Sequence, residues 1–146
     1  MAIFTKEISI RWADLDPNFH LRHSAYYDFG AQHRMEILID LGLTPLLMHQ
    51  QHFGPILFKE SCVFKREIHF GETIFITTKM SKMKKDASRW SITHELIDNK
   101  GTVKAIITVD GAWMDTKLRK LCQPVPSIAV ETLNAIPKAD DFILEE

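Results

Sequence analysis

Hydrophobic and polar positions alternate early in the chain. Over Phe4–Trp12, Ile8, Ile10 and Trp12 fall on one side and Glu7, Ser9 and Arg11 on the other. That period of two predicts a strand. A polar stretch, Asp14-Leu15-Asp16-Pro17-Asn18, interrupts it. The proline biases Asp16 toward extended backbone and delays any helix until after Asn18. The period then lengthens: Tyr27, Ala31, Met35, Leu38 and Leu41 recur every three or four residues. This predicts a long helix over Ser24–Leu41, with Ser24 as N-cap, Asp28 near the positive dipole end and Gly42 as the stop. Gly30 inside it predicts a close packing contact. Thr44-Pro45 predicts the start of a short second helix, ended by Gly54-Pro55.

The remainder reads as strands. Ile56–His69, Glu72–Met83, Ser88–Asp98 and Thr102–Asp115 are rich in Ile, Val, Phe, Thr and Trp. Gly71, Lys84-Lys85-Asp86 and Asn99-Lys100-Gly101 separate them, and such short spacers imply antiparallel hairpins. A short strand near Leu118–Cys122 closes the set. Pro124, Pro126 and Pro137 break the pattern, and Lys138–Glu146 reads as an acidic, poorly ordered tail. An early helix followed by consecutive strands is an α+β order, one helix laid across one sheet face. It lacks the alternation of a doubly wound fold. Trp90 and Trp113 lie inside strands and Trp12 ends one, so all three are expected in the core or an interface.

Composition narrows the function classes. The chain has 146 residues, enough for one domain with its own core. Eighteen Lys and Arg against nineteen Asp and Glu give a net charge of −1, without the basic excess of a nucleic-acid module. No apolar run reaches bilayer length. Met1–Lys6 lacks the apolar core of a signal peptide, so a cytoplasmic location is expected. Cys62 and Cys122 belong to no metal or redox spacing and read as free thiols.

The densest polar constellation is Asp14, Asp16, Asn18, His20 and His23, between a strand and a helix start. The first N–H groups of a helix lack internal partners and sit at the positive dipole end, so they can hold an oxyanion. A carboxylate just upstream can attack a carbonyl or take a proton from water. Asp and Asn also serve as caps and turn formers, and the histidines as surface residues. Asp and His are metal ligands too, but no HExxH or cysteine set accompanies them.

The stretch Arg11-Trp12-Ala13-Asp14-Leu15-Asp16-Pro17-Asn18-Phe19-His20-Leu21-Arg22-His23-Ser24-Ala25-Tyr26-Tyr27 resembles the signature of hotdog-fold acyl-CoA thioesterases. Within these it is similar to the 4-hydroxybenzoyl-CoA thioesterase-like group. Leu118-Arg119-Lys120 followed by Pro124-Val125-Pro126 is similar to the family's ending, so the resemblance covers roughly residues 3 to 127. It implies an antiparallel sheet wrapped around a long central helix, with a thioesterase domain over 1–127 and a C-terminal extension over 128–146. It implies hydrolysis of an acyl-CoA to free acid and CoA, with Asp16 as nucleophile or general base. The backbone N–H near His23 takes the oxyanion role, Asn18 orients water or carboxylate, and Tyr26 matches the tyrosine at the helix start. Lys84, Lys85, Arg89, Arg119 and Lys120 match basic positions beside the CoA phosphates, where charge-assisted hydrogen bonds would form. No metal or organic cofactor is implied. The partners implied are the acyl-CoA substrate and further copies of the chain, as a homodimer or homotetramer, with no nucleic acid or membrane. Phe19 replaces a glycine of many members, His23 an asparagine or another polar residue, and Ala31-Gln32 acidic residues, which points to an altered acyl pocket or to a divergent member with weak activity. Two alternatives stay open: an enzyme for acyl groups on acyl-carrier protein, and a non-catalytic acyl-binding protein.

Overall fold

The computed structural model describes residues 2–146; Met1 lies outside them. Strand β1 is Thr5–Ile8, helix α1 Tyr26–Asp40 and helix α2 Pro45–Gln50. Strands β2 (Phe53–Phe64), β3 (Ile74–Lys84), β4 (Arg89–Asp98) and β5 (Val103–Asp115) follow. The chain continues with β6 (Lys120–Leu121), α3 (Ser127–Ala135) and β7 (Lys138–Glu145). The strands lie in the order β1-β3-β4-β5-β2, with β6 paired to β5. Neighbours along that path are antiparallel, and α1 packs on one face. This is the hotdog arrangement expected from the sequence.

The C-terminal segment departs from expectation. Lys138–Glu145 is no loose tail but a strand parallel to β3, with Lys82 beside Ile143 and Met83 beside Leu144. β1 covers Ile74–Thr77 on that edge of β3, and β7 covers the part beyond. Pro126 precedes α3 rather than ending structure, and Ala129, Leu133 and Ile136 are buried against the main core.

The early elements shift in detail. The first strand stops at Ile8, because Trp12–Asp14 form a 3₁₀ turn closed by the Asp14 carboxylate on Arg11 N–H. Trp12 is 68% exposed, not core; Trp90 and Trp113 are buried as expected. His23–Ala25 also form a 3₁₀ turn, which moves the start of α1 to Tyr26 and its cap to Ala25. Ser24 caps nothing; its hydroxyl accepts a hydrogen bond from Arg22 Nε. Thr44 does cap α2, accepting from Leu47 N–H, but Gly54 and Pro55 lie inside β2.

The buried face of α1 is Tyr26, Gly30, His33, Ile37 and Leu38, not the predicted Tyr27-Ala31-Met35 line. Apart from Leu38 the stripe is rotated by about one position, and its Gly and His make it invisible to a hydrophobicity search. Gly30 has the close contact expected of it. A Cβ there would lie 3.1 Å from His94 Cδ2 and 3.2 Å from Arg34 Nη1. Gly111 on β5 serves likewise, since a Cβ would fall 2.4 Å from the Trp90 ring and 2.6 Å from Ile56 O.

Two apolar clusters make up the interior. One gathers Ile37, Leu38, Met80, Trp90, Ile92, Trp113 and Leu133 with α3. The other gathers Leu21, Tyr26, Ile68, Ile76, Leu96 and Ile107 around the start of α1. Between them on the same sheet face sit buried Thr78 and His94, a directly opposed pair on β3 and β4.

Candidate active site

The loop from Asp14 to His23 is held by its two aspartates in different ways. Asp14 is buried, and its carboxylate is fully engaged. Oδ1 accepts from Arg11 Nη2 at 2.8 Å, and Oδ2 from Arg11 N at 2.9 Å and Nε at 3.2 Å. Those hydrogen bonds hold its pKa below the ordinary value, with burial opposing. Asp14 is a structural anchor. Asp16 is half-buried and keeps one oxygen open. Its Oδ1 accepts N–H bonds from Asn18 at 2.9 Å and His20 at 3.1 Å, the pattern of an Asx turn. Its Oδ2 takes no hydrogen bond among the described residues.

The turn closes through Phe19, whose φ is +64°, a region where glycine is at ease and phenylalanine is strained. Phe19 is 56% exposed and stacks at 5.5 Å on Trp12, itself 6.3 Å from Phe70.

Asp16, His20, His23, Tyr26, Phe64, Lys65, Arg66 and Glu67 surround a cleft of about 320 Å³ beside the start of α1. Three sequence candidates, Asp16, His23 and Tyr26, therefore meet. Ala25 N–H bonds Arg22 O, while the N–H groups of His23 and Ser24 take no backbone carbonyl from outside the turn among the described residues. These are the free donors expected at a helical start. Tyr26 packs edge-on to Phe64 at 4.9 Å. Burial first, then the charges around it, pushes its phenol up to about 12, so it remains an O–H at neutral pH. Asn18 is exposed and does not line the cleft; its backbone N–H is what reaches Asp16.

The cleft also holds residues the sequence did not single out. Lys65 and Arg66, past the end of β2, put two cations beside Asp16. His20, Glu67 and His69 bring three donor atoms within 4.8 Å of one another and are the described side chains suited to a cation. An isolated bridge pairs His20 with His69, and His20 Nε2 lies 3.4 Å from a Glu67 oxygen. The link between positions 20 and 69 had no local signal.

The basic set lies elsewhere. Lys84 and Arg89 flank the β3–β4 turn and line a groove with Phe58, Lys82 and Asp110. Arg89 stands over the Phe58 ring at 4.6 Å. Lys85 is ion-paired to Glu146 at 2.7 Å. Arg119 and Lys120 are exposed at the β5–β6 turn and do not line that groove. The Asp16 loop bridges through His20 to His69, ahead of the start of β3, whereas Lys84 ends β3, a strand that spans roughly 30 Å. One chain does not bring the aspartate and the basic turn together.

Residues 10–139 match the family model of the thioesterase-like superfamily. No curated protein matches the sequence. Similar solved structures include a hypothetical protein of Staphylococcus aureus in complex with CoA. It shows 15% identity over 93% of this chain and 87% of that one, with a TM-score of 0.83. A 1,4-dihydroxy-2-naphthoyl-CoA thioesterase from Synechocystis matches at 16% identity over 90% and 96% of the two chains, with a TM-score of 0.79. A gentisyl-coenzyme A thioesterase matches at 21% identity over 88% and 98%, with a TM-score of 0.75. Family model and hotdog architecture agree: the chain belongs to the thioesterase-like superfamily, a group of thioester hydrolases.

Proposed function

We propose that the chain hydrolyses an acyl-CoA thioester to a free carboxylic acid and CoA, with Asp16 carrying the chemistry. The observation that supports this most is the division of labour within one carboxylate. Oδ1 is pinned by two N–H groups, while Oδ2 accepts none among the described residues, and Asp16 lines the cleft together with His23 at the helical start. The thioester carbonyl oxygen would rest on the N–H of His23, where positive potential stabilises the tetrahedral oxyanion. As a general base, Oδ2 takes a proton from water as the hydroxide adds to the carbonyl carbon. The C–S bond then breaks, and the thiolate leaves with that proton. As a nucleophile, Oδ2 adds to the carbonyl carbon and the C–S bond breaks to release the CoA thiolate. Water then cleaves the resulting anhydride to the free acid and the Asp16 carboxylate, and one of its protons goes to the thiolate. Both routes need the same open oxygen. Asn18 contributes through its N–H to Asp16, and Tyr26 through its place on the cleft wall.

A second copy completes the site. β2 is a twelve-residue edge strand with Leu57, Phe58, Val63 and Phe64 exposed, and an apolar open edge invites pairing. Antiparallel pairing of two β2 strands sets the start of one beside the end of the other. The Lys84–Arg89 turn of one copy then faces the Asp16 cleft of its partner, where Lys65 and Arg66 add charge for the CoA phosphates. The likeness to the CoA-bound Staphylococcus aureus structure agrees with a CoA thioester. Thiol release from a graded acyl-CoA series, beside acyl-carrier-protein thioesters, tests the reading. Turnover of acyl-CoA that vanishes in Asp16→Asn is expected. Turnover of carrier-bound substrates only, or full activity in the variant, would overturn it.

A further inference from the structure

A second cavity lies on the same sheet face as the Asp16 cleft but toward the other end of α1, between the later turns of α1, strands β2–β5 and helix α3. It has a volume of about 200 Å³. Its walls are Met35, Leu38, Ile92, Leu133 and their apolar neighbours, with Arg34, Thr78 and the indole N–H groups of Trp90 and Trp113, unpartnered among the described residues, as the polar members. Ala31, Pro55 and Leu57 are exposed lining residues, so the mouth is on the β2 side, where the partner copy would sit. A cavity of about 150 Å³ accommodates a benzene ring, so this space takes a short or ring-sized acyl group and excludes a long chain.

Arg34 is held there by a hydrogen-bonded chain whose direction is fixed at both ends. An arginine only donates and a carbonyl only accepts. Arg34 Nη1 donates to His94 Nε2 at 2.9 Å, so His94 carries its proton on Nδ1 and donates to Thr78 Oγ1 at 2.8 Å. The Thr78 hydroxyl donates onward to His33 Nδ1 at 2.6 Å, and His33 Nε2 donates to Ile3 O at 2.9 Å. Gly30 gives His94 and Arg34 the room to meet. The Arg34 side chain is only 13% exposed, yet among the described residues it makes that one hydrogen bond out of five possible N–H donors. Glu60 stands 3.8 Å from Nη2, which balances the charge without occupying a donor.

An apolar chamber with a neutralised cation and unused donors is built for an acceptor rather than for a charge. We infer that this cavity is the acyl pocket and that Arg34 is its specificity residue, selecting short acyl groups that carry a neutral oxygen acceptor, an oxo or hydroxyl group. A carboxylate there would leave the Arg34–Glu60 pair with an uncompensated buried charge. A plain alkyl group would leave the donors empty.

The inference rests on the thioesterase reading, and the test separates the two. Three acyl groups of equal carbon number are compared as CoA thioesters: pentanoyl, 4-oxopentanoyl and glutaryl. The oxo substrate is expected to exceed pentanoyl by about tenfold or more in kcat/KM, the worth of a hydrogen bond from a charged donor, and to exceed glutaryl as well. In Arg34→Met the oxo-to-pentanoyl ratio falls to near one. The ratio within one protein preparation is insensitive to the fraction folded. Equal rates in the wild type, preference for glutaryl, or a ratio that survives Arg34→Met would overturn the inference. If no thioester is hydrolysed, the thioesterase reading fails and the pocket is decided by binding. 4-Oxopentanoate raising Tm more than pentanoate or glutarate supports it, and equal shifts overturn it.

Discussion

The molecule carries two cavities of opposite character. The Asp16 cleft is rich in charged and polar side chains and built around a loop; the Arg34 cavity is mainly apolar, opens only on the β2 side and is made from α1, the sheet and α3. In the first, a carboxylate oxygen is left unpaired where water can reach it. In the second, Arg34 and Thr78 belong to one hydrogen-bonded chain, while the buried indole N–H groups of Trp90 and Trp113 take no partner among the described residues. Reaction and selection thus fall to structures with different tolerance for change. A loop can be reshaped around a fixed carboxylate, whereas an interior chain fails as a unit when one link is cut.

The largest effect that separates them comes from Asp16→Asn. Asparagine keeps Oδ1, which accepts the N–H bonds of Asn18 and His20, so Tm should barely move. The open oxygen becomes an amide, and kcat should fall by roughly 10²–10⁴-fold. A large loss of Tm would show that the cleft too depends on its carboxylate for folding.

Thr78→Val should do the reverse. Valine matches the shape but removes the hydroxyl that joins His33 to His94. The buried Nδ1 of His33 loses its partner, at a cost of about 1–3 kcal/mol, while His94 Nδ1 keeps its bond to Thr77 O at 3.2 Å. Denaturant unfolding should show this loss, and a change below about 1 kcal/mol would mean the chain contributes little to stability.

Acid should find the same weak point. Burial, with Arg34 and His33 adding to it, depresses His94 to about 3 from an ordinary 6.5, and burial also lowers His33. Below 6.5 the unfolded chain binds more protons than the fold, so stability is complete above that pH and declines as pH falls toward 3. His94 alone should remove about 2 kcal/mol by pH 5. Urea midpoints across that range measure it, and His94→Gln should flatten the slope.

The smallest effect belongs to the loop. Phe19→Gly relieves a positive φ and should stabilise by up to about 1 kcal/mol, less whatever the Trp12 contact supplies. A clear drop in Tm would show that the exposed aromatics around Asp16 outweigh the strain.

What the sequence disclosed follows this same division. Asp16, His23 and Tyr26 lie within one short stretch before a helix, so proximity in sequence is proximity in space. The hairpins declared themselves by turn residues and β-branched runs. The interior chain was illegible because its links join positions 16, 45 and 60 residues apart. Gly30 and His33 also weaken the helical stripe they belong to. β7 escaped notice because its side chains are mostly exposed, which erases the alternation that marks a strand. The basic turn was visible as charge, but its distance from Asp16 depends on which ends of the sheet the strands present.

The opposed pair Thr78 and His94 has one more consequence, for how β3 and β4 find their alignment. Sliding one strand by two residues leaves every side chain on its own face. Thr78 would then meet Leu96 or Ile92, both apolar and buried, in place of His94. Grease matched with grease distinguishes such alignments poorly. The threonine and histidine form the one place on that face where a slipped pairing strands polar atoms in a dry interior. They act as a key that admits a single alignment of the two strands.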